Sequence, residues 1–138
     1  MKEGQILGID LGKKRVGIAI TVPVLNIPQP LKTVNRKEIF KEIEALLQKH
    51  SITRFVVGLP LNMDGTKGEK ASEVEKFGKE LEDRFNIPVA FYDERLTTVH
   101  AEKIMHEAGK KIKGHKDIVD KISASLILEG YLESREHG

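Results

Sequence analysis

The sequence predicts an α/β domain built on a mixed five-stranded sheet with helices on both faces. Three observations lead there. Two short apolar segments, Ile6 to Ile9 and Val16 to Thr21, are separated by little more than a Gly12-Lys-Lys turn, the spacing of an antiparallel hairpin. Further along, apolar strand-like runs alternate with stretches of helical period, the pattern of parallel strands joined by crossover helices. The 138 residues, 39% hydrophobic and 32% charged, have room for one core beneath a well-solvated surface and for no second domain, so residues 1–138 are read as one unit.

The elements follow in order. The first strand stops at Asp10, and the second runs from Val16 to Thr21. Pro23, Pro28 and Pro30 punctuate a loop before a short third strand, Leu31 to Val34. Asn35 is placed to cap a helix in which Ile39, Ile43, Leu46 and Leu47 recur at helical spacing up to about His50. Phe55-Val-Val-Gly58 is apolar throughout, as a strand buried on both faces should be. A polar loop from Asn62 to Gly68 leads into a helix with Val74, Phe77 and Leu81 on one face, and Pro88 to Tyr92 is the next strand, ending at Asp93-Glu94. Thr97 or Thr98 can cap a helix through Ile104 and Met105 that stops at Gly109. A basic loop, Lys110 to Lys116, precedes a last helix from Ile118 to Leu132.

Composition excludes several classes. There is no cysteine, hence no disulfide scaffold, thiol nucleophile or Cys-ligated metal. No apolar run approaches the roughly 18–20 residues of a membrane span, and the N-terminal residues run into a strand without a signal-peptide core, so the expected compartment is the cytoplasm. The formal net charge is only +2, but it is unevenly spread: residues 1–69 hold 11 basic and 7 acidic side chains, residues 70–138 hold 12 and 14.

Three acids stand out by position: Asp10 and Glu94 at strand ends, and Asp120 in the first turns of the last helix. Sites of open α/β sheets lie beyond the carboxyl ends of parallel strands. Asp120, Ala124, Ile127 and Tyr131 share one otherwise apolar helix face, which turns the Asp120 carboxylate toward the sheet. An inward carboxylate must be paired, hydrogen-bonded or bound to a cation. Taken singly, each acid is also explained by turn preference or by the helix dipole; their joint placement favours a site. Hard carboxylate oxygens suit Mg²⁺ or Mn²⁺. The five histidines show no zinc spacing and read as surface residues, with His115 beside Asp117 the one retained, either behind a metal-holding acid or as a phosphate contact. Gly8-Ile-Asp-Leu-Gly12 lacks the Gly-Lys-Ser/Thr of a phosphate loop and instead describes a hairpin that exposes a carboxylate at its bend.

Basic residues border each acid. Lys13, Lys14 and Arg15 flank Asp10, Arg95 follows Glu94, Lys67 and Lys70 lie at a helix start, and Lys110, Lys111, Lys113 and Lys116 precede Asp120. Charge runs are usually solvated surface, but this placement matches phosphate-backbone contacts beside a metal site. With two Tyr, five Phe and no Trp, a base-stacking platform is disfavoured.

Four motifs together resemble the YqgF (RuvX) family: Gly8-Ile-Asp-Leu-Gly-Lys-Lys-Arg-Val-Gly-Ile-Ala19, Gly58-Leu-Pro-Leu-Asn-Met-Asp-Gly-Thr-Lys-Gly68, Asp93-Glu-Arg-Leu-Thr-Thr98 and Val119-Asp-Lys-Ile-Ser-Ala-Ser-Leu-Ile-Leu-Glu-Gly-Tyr-Leu132. The resemblance spans nearly the whole chain. It implies a ribonuclease H-like fold related to the RuvC resolvases, and a nuclease that matures the 5′ end of pre-16S ribosomal RNA or resolves Holliday junctions. Asp10 matches the family's first-strand acid, Glu94 the acid after the last strand and Asp120 the helical acid; Asp117 is not supported by the motif. Ser123 replaces a common alanine, and Thr21-Val22 stands where Ser-Asp is frequent.

The implied mechanism is in-line phosphodiester hydrolysis with two divalent ions roughly 3.5–4 Å apart. Asp10 would bridge them, while Glu94 and Asp120 would each help to hold one. Asn62, Lys67 and the backbone N–H groups of their loop would meet a phosphate at the next helix N-terminus, or the loop is a plain connector. The partner is nucleic acid, either pre-rRNA or branched DNA; symmetric junction cleavage would require two copies of the chain. A nucleic-acid-binding module without chemistry is the third reading, against which the three intact acids argue.

Overall fold

The computed structural model describes residues 4–95 and 116–137. Its strands are β1 (Gln5–Leu11), β2 (Arg15–Thr21), β3 (Pro28–Asn35), β4 (Ile52–Leu59) and β5 (Val89–Asp93); its helices are α1 (Ile39–Lys49), α2 (Glu69–Phe85) and α3 (Lys116–His137). They form one five-stranded sheet in the order β3-β2-β1-β4-β5. The β1–β2 and β2–β3 pairs are antiparallel, and β1–β4 and β4–β5 are parallel. This is the mixed sheet expected from an N-terminal hairpin followed by β-α alternation.

Strand period assigns residues to two cores. Leu7, Ile9, Val16, Ile18, Ile20, Phe55 and Val57 face one side and pack with Ile39, Ile43 and Leu46 of α1 and Val74, Phe77 and Leu81 of α2. The alternate positions present Ala19, Val56 and the partly buried Ile6, Ala90 and Tyr92 to Ala124, Ile127, Leu128 and Tyr131 of α3. Gly8 and Gly17 put no side chain on this second face, so α3 lies close to the strands there. Among the described residues, no helix is long and apolar enough to cross a membrane.

Several boundaries differ from expectation. Asp10 is inside β1, laddered to Gly17, rather than at its end. Pro28 and Pro30 belong to β3 rather than to a loop. β3 is an edge strand, where a missing N–H can face solvent, and the ladder with β2 shifts register between Ile18 and Ala19, opposite Pro30. Asn35 makes no side-chain cap; a single 3-10 turn, Arg36–Glu38, comes between it and α1. The last helix extends beyond the expected Ile118 to Leu132 at both ends. The helix expected from Thr97 or Thr98 to Gly109 lies outside the described residues.

Candidate active site

Asp10 comes from the carboxyl-terminal part of β1, and Glu94 is the first residue after β5. β4 separates these strands, and its Gly58 makes their meeting possible. A Cβ on Gly58 would stand 2.6 Å from Glu94 Oε1 and 2.7 Å from its Cγ. Glu94 therefore folds back across a position with no side chain and shares a hydrogen bond with Asp10. The backbone N–H of Glu94 donates to the Leu59 carbonyl at 3.0 Å, which fixes the turn leaving β5.

Two carboxyls this close and this dry cannot both be charged. Burial is the main influence on each. It pushes Glu94 up to about 9, reinforced by the hydrogen bond and charge of Asp10 and opposed by Lys70. Burial also raises Asp10, the hydrogen bond from Glu94 pulls it back, and the charge of Asp120 raises it again. Burial and the shared hydrogen bond thus disfavour two negative charges on the pair, and Glu94 is the acid pushed up further.

Asp120, on the first turns of α3, points to the sheet as expected. Its Oδ2 accepts from Arg15 Nε at 2.9 Å, and its side chain is 25% exposed. Asp120 is near enough to act electrostatically on Asp10, but its bonded partner is the guanidinium. Among the described residues, no three His, Asp or Glu side chains gather closely enough to hold a metal ion. Asp10 and Glu94 offer the hard carboxylate oxygens that a divalent cation takes. The third acid stands beside them under the hold of Arg15.

The basic and polar candidates divide. Lys13 and Lys14 are exposed on the β1–β2 turn beside Asp10. Arg95 clamps Asp93, with Nη2 to Oδ2 at 2.7 Å, and donates to the Met63 carbonyl at 3.1 Å, tying the end of β5 to the Asn62–Gly68 loop. Inside that loop, Gly65 N–H donates to the Asn62 carbonyl, Asn62 N–H to the Thr66 carbonyl and Thr66 N–H to Asp64 Oδ1. Asn62 Nδ2 is spent on Thr66 Oγ1 and Lys67 Nζ on Glu75 Oε2, at 2.9 and 2.8 Å. The Asn62 side chain is committed within the loop and that of Lys67 to α2, which favours the connector reading. Lys110, Lys111, Lys113 and His115 lie outside the described residues, as do the side chains of Lys116 and Asp117. His50 Nδ1 lies 3.3 Å from Gln5 Oε1, far along the fold from the acids.

Lys70 was named from the sequence only as one of the basic residues bordering the acids, and Arg36 was not singled out. Lys70, one turn beyond Lys67, is the cation that acts on Glu94. Arg36 donates to the Gly12 carbonyl at 3.0 Å and pairs with Glu73, bracing the turn that carries Lys13. Lys70 was visible as a charge at a helix start, but only the packing of α2 distinguishes it from Lys67.

The RuvX family model, described as Holliday junction resolvase, matches residues 4–134. The chain belongs to the RuvX family. It is 40% identical over 138 residues to a Lachnospira eligens protein named "Putative pre-16S rRNA nuclease", covering 96% of this chain and 99% of that one. A Caldanaerobacter subterraneus protein of the same name is 41% identical over 137 residues, covering 96% and 99%. In fold, the RuvX chain resembles Thermus thermophilus RuvC, solved in complex with a Holliday junction substrate, with TM-score 0.54, 16% identity and 96% of each chain covered. The expected ribonuclease H-like architecture is therefore the one observed.

Proposed function

We propose that this RuvX chain is a metal-dependent nuclease that hydrolyses phosphodiester bonds in the 5′-end processing of pre-16S rRNA, in the cytoplasm where ribosomes assemble. The observation that carries the reading is the buried Asp10–Glu94 pair, with Asp120 close enough to act on Asp10, in a chain matched over 96% of its length by relatives named "Putative pre-16S rRNA nuclease".

Phosphodiester hydrolysis loads negative charge onto the attacking, non-bridging and leaving oxygens together. Divalent ions, Mg²⁺ or Mn²⁺ and two in number in the full form of this reading, neutralise that charge and make water more acidic. Asp10 and Glu94 would hold them, joined by Asp120. Any proton held between Glu94 and Asp10 would pass to solvent as a cation took its place. Arg15 holds the Asp120 carboxylate at 2.9 Å. Lys13, Lys14 and the 110–116 lysines hold the phosphate backbone, and Arg95 keeps the end of β5 in place.

The test presents the purified protein, with Mg²⁺ or Mn²⁺, with a precursor 16S leader RNA and a four-way DNA junction side by side. Cutting at the leader's 5′ processing site is expected. Cutting of the junction alone would favour resolution instead, a reading supported by the family description and the RuvC-like fold. Binding without cutting of either would favour a module that has lost its chemistry.

A further inference from the structure

On the α2 side of the acids, the β1–β2 turn and the first turns of α2 enclose a pocket of about 150 Å³. Its walls include Lys13, Arg36, Pro60, Lys70, Glu73 and Glu94. The charges there are not balanced. Glu73 is paired with Arg36, and Arg36 is further held by the Gly12 carbonyl. Glu94 turns to Asp10, with which it shares a hydrogen bond. Lys13 and Lys70 remain, both exposed, and among the described residues neither forms an ion pair or a side-chain hydrogen bond. No aromatic ring lines the pocket, so it offers nothing on which a base could stack. Its volume suits a phosphate group with a few waters.

We infer that this pocket is a backbone-phosphate subsite, in which Lys70 and Lys13 hold the phosphate neighbouring the one that is cut. The inference rests on the nuclease reading for its substrate class, and it adds a place and a ligand to that reading. Glu94 is shared between the pocket wall and the acidic pair, so a phosphate held by Lys70 lies next to the acids. Arg36 acts through position: it fixes the Gly12 carbonyl and hence the turn bearing Lys13. Recognition here is independent of base identity, because only charge and size are read.

The test uses the full chain and a labelled four-way DNA junction and an RNA stem-loop as probes, with binding measured across a salt series without divalent metal. Lys70→Ala is expected to weaken binding about 3- to 10-fold at low salt and to lower the salt slope by about one unit, with Lys70→Arg restoring both. Methylphosphonate scanning of the probe sharpens the result: one position should matter to the unmodified protein and be silent in Lys70→Ala. Affinity and slope unchanged in Lys70→Ala, or no nucleic-acid binding by the unmodified protein, would overturn the subsite. If the slope falls as expected but no probe is ever cut with Mg²⁺ or Mn²⁺, the subsite stands and the nuclease reading fails. Thermal melting checks that both variants fold, which the exposure of Lys70 leads one to expect.

Discussion

Gly17 and Asp120 meet backbone to backbone: a Cβ on Gly17 would stand 2.0 Å from the Asp120 carbonyl oxygen. Gly17 is also the ladder partner of Asp10. The bare position lets the first turns of α3 descend onto β2 directly beside the first acid, which brings the Asp120 charge into range of Asp10.

Gly17→Ala should therefore disturb both stability and site. The obstructing atoms are backbone and cannot rotate aside, so α3 must lift. The expected cost is about 1–3 kcal/mol, the usual range for overpacking, read as a lower midpoint in chemical denaturation. A midpoint equal to that of the unmodified chain would show that α3 is not seated as described.

The Asp10–Glu94 pair makes metal-free stability depend on pH. Glu94 titrates near 4.5 when unfolded and near 9 when folded, so between those values the fold binds the extra proton. Its contribution is complete below about pH 4.5 and is lost as pH rises toward about 9. The raised Asp10 acts in the same direction. Asp93, lowered first by its hydrogen bond from Arg95, acts oppositely and loses its contribution as acid protonates it. Melting temperature should thus fall from mildly acidic to alkaline pH. In Glu94→Gln, whose amide N–H can still donate to Asp10, that slope should flatten; an unaltered slope would separate Glu94 from the effect.

Asp10→Asn should abolish cleavage and spare nucleic-acid binding. The amide keeps the volume but removes the anionic oxygen, and with it the Asp10 charge that acts on Glu94. Mg²⁺ or Mn²⁺ should raise the melting temperature of the unmodified protein and leave that of Asp10→Asn unmoved. Cleavage retained at the original rate would remove Asp10 from the mechanism.

Replacing Lys110, Lys111, Lys113 and Lys116 together by alanine should weaken binding and reduce the salt slope by about one unit for each phosphate no longer held. Exposed substitutions usually cost within about 0.5 kcal/mol each, so folding should survive. Unchanged affinity and slope would return the segment to ordinary solvated surface.

Much of this arrangement was legible from local pattern. The two-residue alternation through Ile6 to Leu11 and Arg15 to Thr21 encodes both sheet faces, since a strand cannot bury one side chain without exposing its neighbour to the opposite layer. The apolar Phe55 to Gly58 run announces a strand covered on both sides. The β3 prolines misled because their rule depends on whether a strand is at an edge, and edges are decided by pairing. Asn35 misled for a similar reason: a residue's capping chemistry does not determine whether the chain enters the helix through a 3-10 turn first.

The acids divide along the same line. Their identity, their location near the carboxyl ends of β1 and β5, and the inward face of α3 follow from the sequence, because strand and helix periods are set within a few residues. Which acid shares a hydrogen bond with which, and which is held by a guanidinium, was decided only in three dimensions. Glu94 reaches Asp10 because Gly58 leaves the space between them empty, and Asp120 meets Arg15 because α3 settles onto Gly17. The choice of Lys70 over Lys67 as the cation acting on Glu94 has the same origin. Charge acts through distance and burial, and both are properties of segments far apart in the chain that meet only when the sheet and its helices close.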